Sequence, residues 1–134
     1  MDESIGDRGR AARRPLKILV IDDDPEVTDS LSLLFSRWGH AVRVAHAGGE
    51  GLAQAIEIVP DLIFVDLGLP GIDGFEVIRS IRSIPSLQST HVVVVTGRLA
   101  EPEGESETEL SLDGYLLKPV EPRTLKALIG SLAV

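Results

Sequence analysis

KILVIDDDPEV, residues 17–27, changes character in its middle, and that change decides the fold class. Ile18, Leu19, Val20 and Ile21 form an unbroken apolar run, which suits a strand covered on both faces, because a strand with one wet face alternates. Three aspartates end the run. Pro25 follows, and its fixed φ and missing amide hydrogen suit the first turn of a helix, where the helix dipole also favours carboxylates. Val27, Leu31, Leu34, Phe35 and Trp38 then recur at helical spacing, and Gly39 ends the helix. A buried strand running directly into a helix is the building unit of a parallel sheet.

The same unit repeats outward from this stretch. AVRVA (41–45) reads as a second strand. Leu52, Ala53, Ala55, Ile56 and Val59 give a short helix stopped by Pro60. LIFV (62–65) is a third buried strand, followed by a helix with Phe75, Ile78 and Ile81 inward. HVVVV (91–95) and GYLL (114–117) are the fourth and fifth strands. The last helix runs from about Pro122, with Leu125, Leu128, Ile129 and Leu132 on one face. Five strands alternating with helices predict an α/β domain with helices on both faces of a parallel sheet.

Two stretches read differently. Residues 1–15 are rich in charge and glycine and poor in apolar side chains, so they are expected to be a disordered tail ahead of a domain spanning 16–134. The tail arginines Arg8, Arg10, Arg13 and Arg14 read as a solvated leader. Residues 101–113, EPEGESETELSLD, hold six acids and no base. Topology calls for a helix there, but its apolar face is thin, so a short or mobile element is expected.

Composition bounds the function. The 134 residues fit one domain, and the 43% hydrophobic share is enough for a core of ordinary size. Aromatics are confined to Phe35, Trp38, Phe64, Phe75 and Tyr115, which argues against an aromatic-stacked flavin or a base-stacking RNA surface. The formal net charge of −8 repels a phosphate backbone, so direct nucleic-acid binding is not expected. With no cysteine, disulfides, thiolate metal sites and cysteine nucleophiles are excluded. No apolar run approaches the roughly 20 residues of a membrane span, and the N-terminus lacks a signal-like apolar segment, so a cytoplasmic location is expected.

The chemistry should lie just beyond the carboxyl ends of the strands, where ligands bind in open α/β sheets. Those ends carry Asp22, Asp23 and Asp24, then Asp66, then Thr96 and Gly97, then Lys118 and Pro119. Carboxylates gathered within a few ångströms repel and raise one another's pKa, and a hard divalent cation relieves that repulsion. Mg²⁺ suits a site of few carboxylates that keeps several waters. Asp24 and Asp73 read as capping and turn residues. His40, His46 and His91 stand on separate elements and read as structural or exposed.

LVIDDDP (19–25), DLGLPGIDG (66–74), VVTG (94–97) and GYLLKP (114–119), separated by 43 residues from Asp23 to Asp66, 30 to Thr96 and 22 to Lys118, resemble the motifs of response-regulator receiver domains. This family of two-component signalling includes the chemotaxis response regulator, and the resemblance runs from residue 17 to about 132. It implies a flavodoxin-like, doubly wound five-stranded parallel sheet of order 2-1-3-4-5 with five helices. By the same resemblance Asp66 is the phosphoacceptor, Asp23 binds Mg²⁺ directly, Asp22 reaches it through water, and Gly68 offers its backbone carbonyl. Thr96 bonds a phosphoryl oxygen, Gly97 leaves room for the group, and Lys118 pairs with the acceptor and then with the phosphoryl group. Pro119 follows a cis bond, and Tyr115 is the aromatic that turns inward with Thr96. Gly68 and Arg98 stand at the positions that tune phosphoryl lifetime.

The implied function is a phosphorylation-dependent switch, not an enzyme acting on a separate substrate. A sensor histidine kinase or histidine phosphotransfer protein would supply the phosphoryl group, and a protein target would read the output, with the domain a monomer or weak dimer. The alternative is a pseudo-receiver, a binding module that keeps the fold without phosphotransfer. An aspartate-nucleophile phosphatase fits poorly, because position 68 is glycine where a second aspartate would stand. A flavodoxin-like redox role fits worse, for want of a phosphate loop after the first strand.

Overall fold

A computed structural model describes residues 14–97 and 111–132. The elements are β1 (Lys17–Ile21), α1 (Pro25–Arg37), β2 (Ala41–Ala45), α2 (Gly48–Ile58), β3 (Leu62–Val65), α3 (Gly74–Ser83), a 3-10 turn (Pro85–Leu87), β4 (His91–Thr96), β5 (Gly114–Leu117) and α4 (Pro122–Leu132). The strands form one sheet of order β2-β1-β3-β4-β5, and every neighbouring pair is parallel. The expected five helices become four and a 3-10 turn among the described residues. Most of the acidic stretch where the fifth was expected lies outside them, as do Arg98 and residues 1–13.

Strand alternation splits the core into two layers. Leu19, Ile21, Ile63, Val65, Val92 and Val94 pack on one face against α2 and α3, where Ala55, Val77, Ile78 and Ile81 are buried. Ile18, Val20, Leu62, Phe64, Val93 and Val95 pack on the other against Phe35 of α1 and Leu125 and Ile129 of α4. Phe35 stacks on Phe64 with ring centroids 5.2 Å apart. The continuous apolar runs of β1, β3 and β4 exist because both faces of these strands are covered.

The helix ends follow side-chain chemistry. The Asp24 carboxylate accepts from the Glu26 amide at 3.0 Å, and Asp73 accepts from Glu76 at 3.0 Å. Each satisfies an amide that the first helical turn leaves without a partner. After α1 the chain turns at Gly39, whose φ of 93° favours glycine. α2 starts at Gly48, four residues before the first apolar position that signalled it. Gly48 and Gly51 face neighbouring elements so closely that a Cβ on Gly48 would lie 2.9 Å from Val77, and one on Gly51 2.5 Å from Ile21. Packing overrides the low helix propensity of glycine here.

At the other end of α2, Val59 has a φ of 46° although it is β-branched and 40% exposed. The left-handed conformation costs an L-residue about 1–2 kcal/mol, and glycine avoids that cost. Val59→Gly is therefore expected to stabilise the fold by about 1 kcal/mol, seen as a raised thermal midpoint; an unchanged or lower midpoint would count against strain at this cap.

His40 sits just before β2, and its Nδ1 accepts from the Leu16 amide at 3.0 Å. Burial lowers its pKa. The unfolded chain therefore takes up a proton near pH 6.5 that the fold resists, so stability is complete above that pH and declines as pH falls through it. Urea midpoints are expected to drop between pH 7.5 and 5.5, and to drop less in His40→Asn, which keeps an acceptor that does not titrate in this range. Equal slopes in the two proteins would show that another group is responsible.

Candidate functional site at the carboxyl edge of the sheet

Register brings the strand ends level. Ile21 pairs with Val65, so Asp22 and Asp66 stand side by side, and the Asp66 amide donates to the Ile21 carbonyl at 2.9 Å. On the other side of β3, Thr96 pairs with Leu117, and the Lys118 amide donates to the Thr96 carbonyl at 2.8 Å. The Lys118–Pro119 bond is cis, as the resemblance implied. Backbone ladders thus place an acid pair, a hydroxyl and an ammonium along one edge.

Asp22 and Thr96 are 3% and 2% exposed and Asp66 is 9%, whereas Asp23 faces solvent. Asp22, Asp23 and Asp66 each present a carboxylate oxygen, and these oxygens lie within 4.8 Å of one another. The three acids offer hard carboxylate oxygens, and Asp23 is exposed to water. That donor set fits a small divalent cation that keeps part of its hydration shell.

Lys118 balances the buried acids. Its Nζ donates to Asp22 at 2.6 Å and to Asp66 at 3.5 Å. The sequence resemblance pairs this lysine with the acceptor, but here it lies closer to Asp22, the more deeply buried of the two carboxylates. The other Asp22 oxygen accepts the Asp24 amide at 3.0 Å, and one Asp66 oxygen accepts the Gly68 amide at 3.3 Å. Burial pushes the Asp22 pKa up and the Asp66 charge adds to this, against the Lys118 and Asp24 hydrogen bonds. Burial pulls Lys118 down, but its hydrogen bond to Asp22 and the charges of Asp22 and Asp66 outweigh that and leave its pKa raised. Lys118 is a held cation with little tendency to lose its proton.

The remaining expected residues fall around this centre. Gly68 is exposed, and a Cβ there would meet only Asp66 Oδ2, at 3.9 Å, so the position has room for a side chain. Tyr115 pairs with Val94 in the sheet and is partly buried against the same layer, the face that Thr96 shares by alternation. His46 Nε2 lies 3.1 Å from Thr28 Oγ1, and His91 Nδ1 3.1 Å from Asp113. Neither histidine joins the acid cluster. A largely apolar cavity of about 530 Å³ opens beside Lys118 between α1 and α4, lined by Val27, Leu31, Val120 and Leu125 with Asp24 and Glu26 among its polar residues.

One polar centre was invisible in the sequence. Arg82 donates to the Thr90 carbonyl at 2.8 Å and the Ser111 carbonyl at 2.7 Å, and lies 3.6 Å from Asp113. Asp113 in turn accepts the Val92 amide at 2.8 Å. These contacts tie α3 to the start of β4 and to the chain entering β5, at the sheet edge opposite the acids.

Residues 18–130 match the family model of the response regulator receiver domain. The chain belongs to that family. The receiver domain is 40% identical over 112 residues to the transcriptional regulatory protein AfsQ1 of Streptomyces coelicolor, an alignment covering 84% of this chain and 48% of AfsQ1. It is 30% identical to protein PilH of Pseudomonas aeruginosa, over 86% of this chain and 95% of PilH. The chemotaxis protein CheY4 of Vibrio cholerae superposes with a TM-score of 0.80 at 25% identity, covering 89% of this chain and 99% of that one. The chain spans about half the length of AfsQ1 and of the ResD regulator of Bacillus subtilis, 48% and 43%. Receiver domains are signalling switches of two-component systems. None of the described helices is long and apolar enough to cross a membrane.

Proposed function

We infer that this receiver domain takes a phosphoryl group onto Asp66 from a histidine kinase or histidine phosphotransfer protein, in a reaction that needs Mg²⁺. The observation that carries this reading is the meeting of three carboxylates and one ammonium at a single strand edge. An Asp66 oxygen attacks the phosphorus of a phosphoimidazole, the new O–P bond forms as the P–N bond breaks, and the imidazole leaves. A carboxylate is a weak nucleophile, so charge on the transferring oxygens must be neutralised. Lys118 supplies one positive group, and the Thr96 hydroxyl can donate to another oxygen. Asp23, Asp22 and the Gly68 carbonyl would hold Mg²⁺, which supplies further charge neutralisation when bound. The cavity between α1 and α4 offers a donor's side chains an approach to Lys118.

The output follows from where Thr96 sits. Drawing its hydroxyl towards a phosphoryl group on Asp66 vacates space that Tyr115, on the same sheet face, can enter. That movement alters the surface around β5, which a downstream protein would read. The exposed Gly68, together with Arg98, would set how fast water reaches the aspartyl phosphate.

Incubation with acetyl phosphate and Mg²⁺, followed by intact mass measurement, tests the reading. The native chain is expected to gain one phosphoryl group, and both Asp66→Ala and chelation of the metal to abolish the gain. A native protein that never gains mass would instead favour a binding module without phosphotransfer.

A further inference from the structure

We propose that Gly74 is a positioning residue for the phosphoryl site: by carrying no Cβ it lets the first turn of α3 rest on the Asp66–Leu67 backbone and so fixes the direction of the Asp66 carboxylate and the Gly68 carbonyl. The proposal rests on Asp66 being the acceptor. Three facts carry it. A Cβ on Gly74 would lie 2.6 Å from the Asp66 carbonyl oxygen, 2.7 Å from Leu67 Cα and 3.0 Å from Leu67 Cδ2. The first two are backbone atoms, so no rotamer change relieves them. Gly74 also closes the loop it ends, since its amide donates to the Leu67 carbonyl at 3.3 Å. The start of α3 cannot easily yield either, because Asp73 caps it through Glu76 at 3.0 Å and Leu67 and Phe75 are buried beneath it.

A methyl group at position 74 must therefore lift α3 or rotate the Asp66–Leu67 peptide. Rotation swings the Leu67–Gly68 peptide, whose amide holds Asp66 Oδ1 at 3.3 Å, and through it displaces the Gly68 carbonyl in the peptide beyond. Helix propensity alone would favour alanine over glycine, so any loss in the alanine variant measures this contact. The comparison with Gly68 is direct: a Cβ there meets open space and one carboxylate oxygen, so the two glycines of the same loop differ in kind.

The experiment compares the native chain with Gly74→Ala and with Ile81→Ala, which empties a buried position further along the same helix. Each is examined for thermal midpoint, for Mg²⁺ affinity and the Asp66–Gly68 amide resonances by NMR, and for phosphorylation by acetyl phosphate. Misplacement by about an ångström costs a reaction on the order of a hundredfold. Gly74→Ala is therefore expected to lose roughly tenfold or more in both Mg²⁺ affinity and phosphorylation rate, with the Asp66–Gly68 resonances displaced. Ile81→Ala, at an equal or larger fall in midpoint, is expected to keep both within about twofold. Native-like affinity and rate in Gly74→Ala, or an equal loss in Ile81→Ala, would overturn the proposal. Should Gly74→Ala fail to fold, it is repeated on Val59→Gly, and failure there too would make the contact one that holds the whole fold, which also overturns a positioning role. If the native chain takes no phosphoryl group, the reading of Asp66 fails, while the Mg²⁺ and NMR comparison still decides the role of Gly74.

Discussion

Lys118→Met is expected to leave a folded protein that binds Mg²⁺ at least as well as the native chain yet is phosphorylated at least roughly a hundredfold more slowly. Methionine keeps most of the volume of the lysine stem and removes only the charge. Two consequences separate. Without the ammonium, 2.6 Å from Asp22 and 3.5 Å from Asp66, the buried acids lose their compensating partner. Breaking a buried pair costs about 3–5 kcal/mol, and partial solvent access to the lysine side chain reduces that here to about 1–3 kcal/mol in metal-free buffer. Added Mg²⁺ should restore much of this loss, because a divalent cation can balance the same carboxylates. It should not restore the rate, because the transferring oxygens would still lack the positive charge assigned to Lys118. Chemical denaturation with and without Mg²⁺, alongside the rate with acetyl phosphate, checks both halves. A variant phosphorylated at the native rate would remove Lys118 from the chemistry and leave it a structural counter-ion.

What the sequence disclosed and what it withheld follow from the range of the interactions. The strand and helix positions were legible because burial on two faces writes itself as an apolar run and burial on one face of a helix as a 3.6-residue repeat. Asp22, Asp23, Asp66, Thr96 and Lys118 were legible as a group because each ends a strand or lies within two residues after one, and a parallel sheet brings such positions to one edge. Asp24 was legible as a cap because capping is local, whereas Asp73, read as a turn residue, proves to cap α3. The start of α2 was not, since Gly48 and Gly51 carry no helical signal and are helical only because α2 packs so close to Ile21 and Val77. Arg82 was not, because its partners Thr90, Ser111 and Asp113 share no local pattern with it. The choice of Asp22 over Asp66 as the nearer partner of Lys118 is likewise a matter of ångströms that no motif encodes.

That choice leads to the second large effect. Asp22→Asn is expected to lower Mg²⁺ affinity by about 10–100-fold, the usual cost of removing a carboxylate that orders a metal's outer shell, while leaving metal-free stability equal to or above that of the native chain. The native carboxylate is almost fully buried and lies in the same cluster as the Asp66 charge, and these two influences disfavour its charged form more than Lys118 and the Asp24 amide favour it. Asparagine keeps one oxygen for the Asp24 amide, gives up the second acceptor that now faces Lys118, and removes one of two crowded negative charges. Lys118 then has Asp66 as its one remaining anionic partner of the two it holds now. The fold gains what the site loses, because crowding charges around a cation position is costly until the cation arrives. Calorimetric Mg²⁺ titration and metal-free thermal unfolding measure the two sides. A strong loss of metal-free stability would mean that Asp22 holds the sheet edge together through Lys118, and unchanged affinity would place the cation on Asp23 and Asp66 without it.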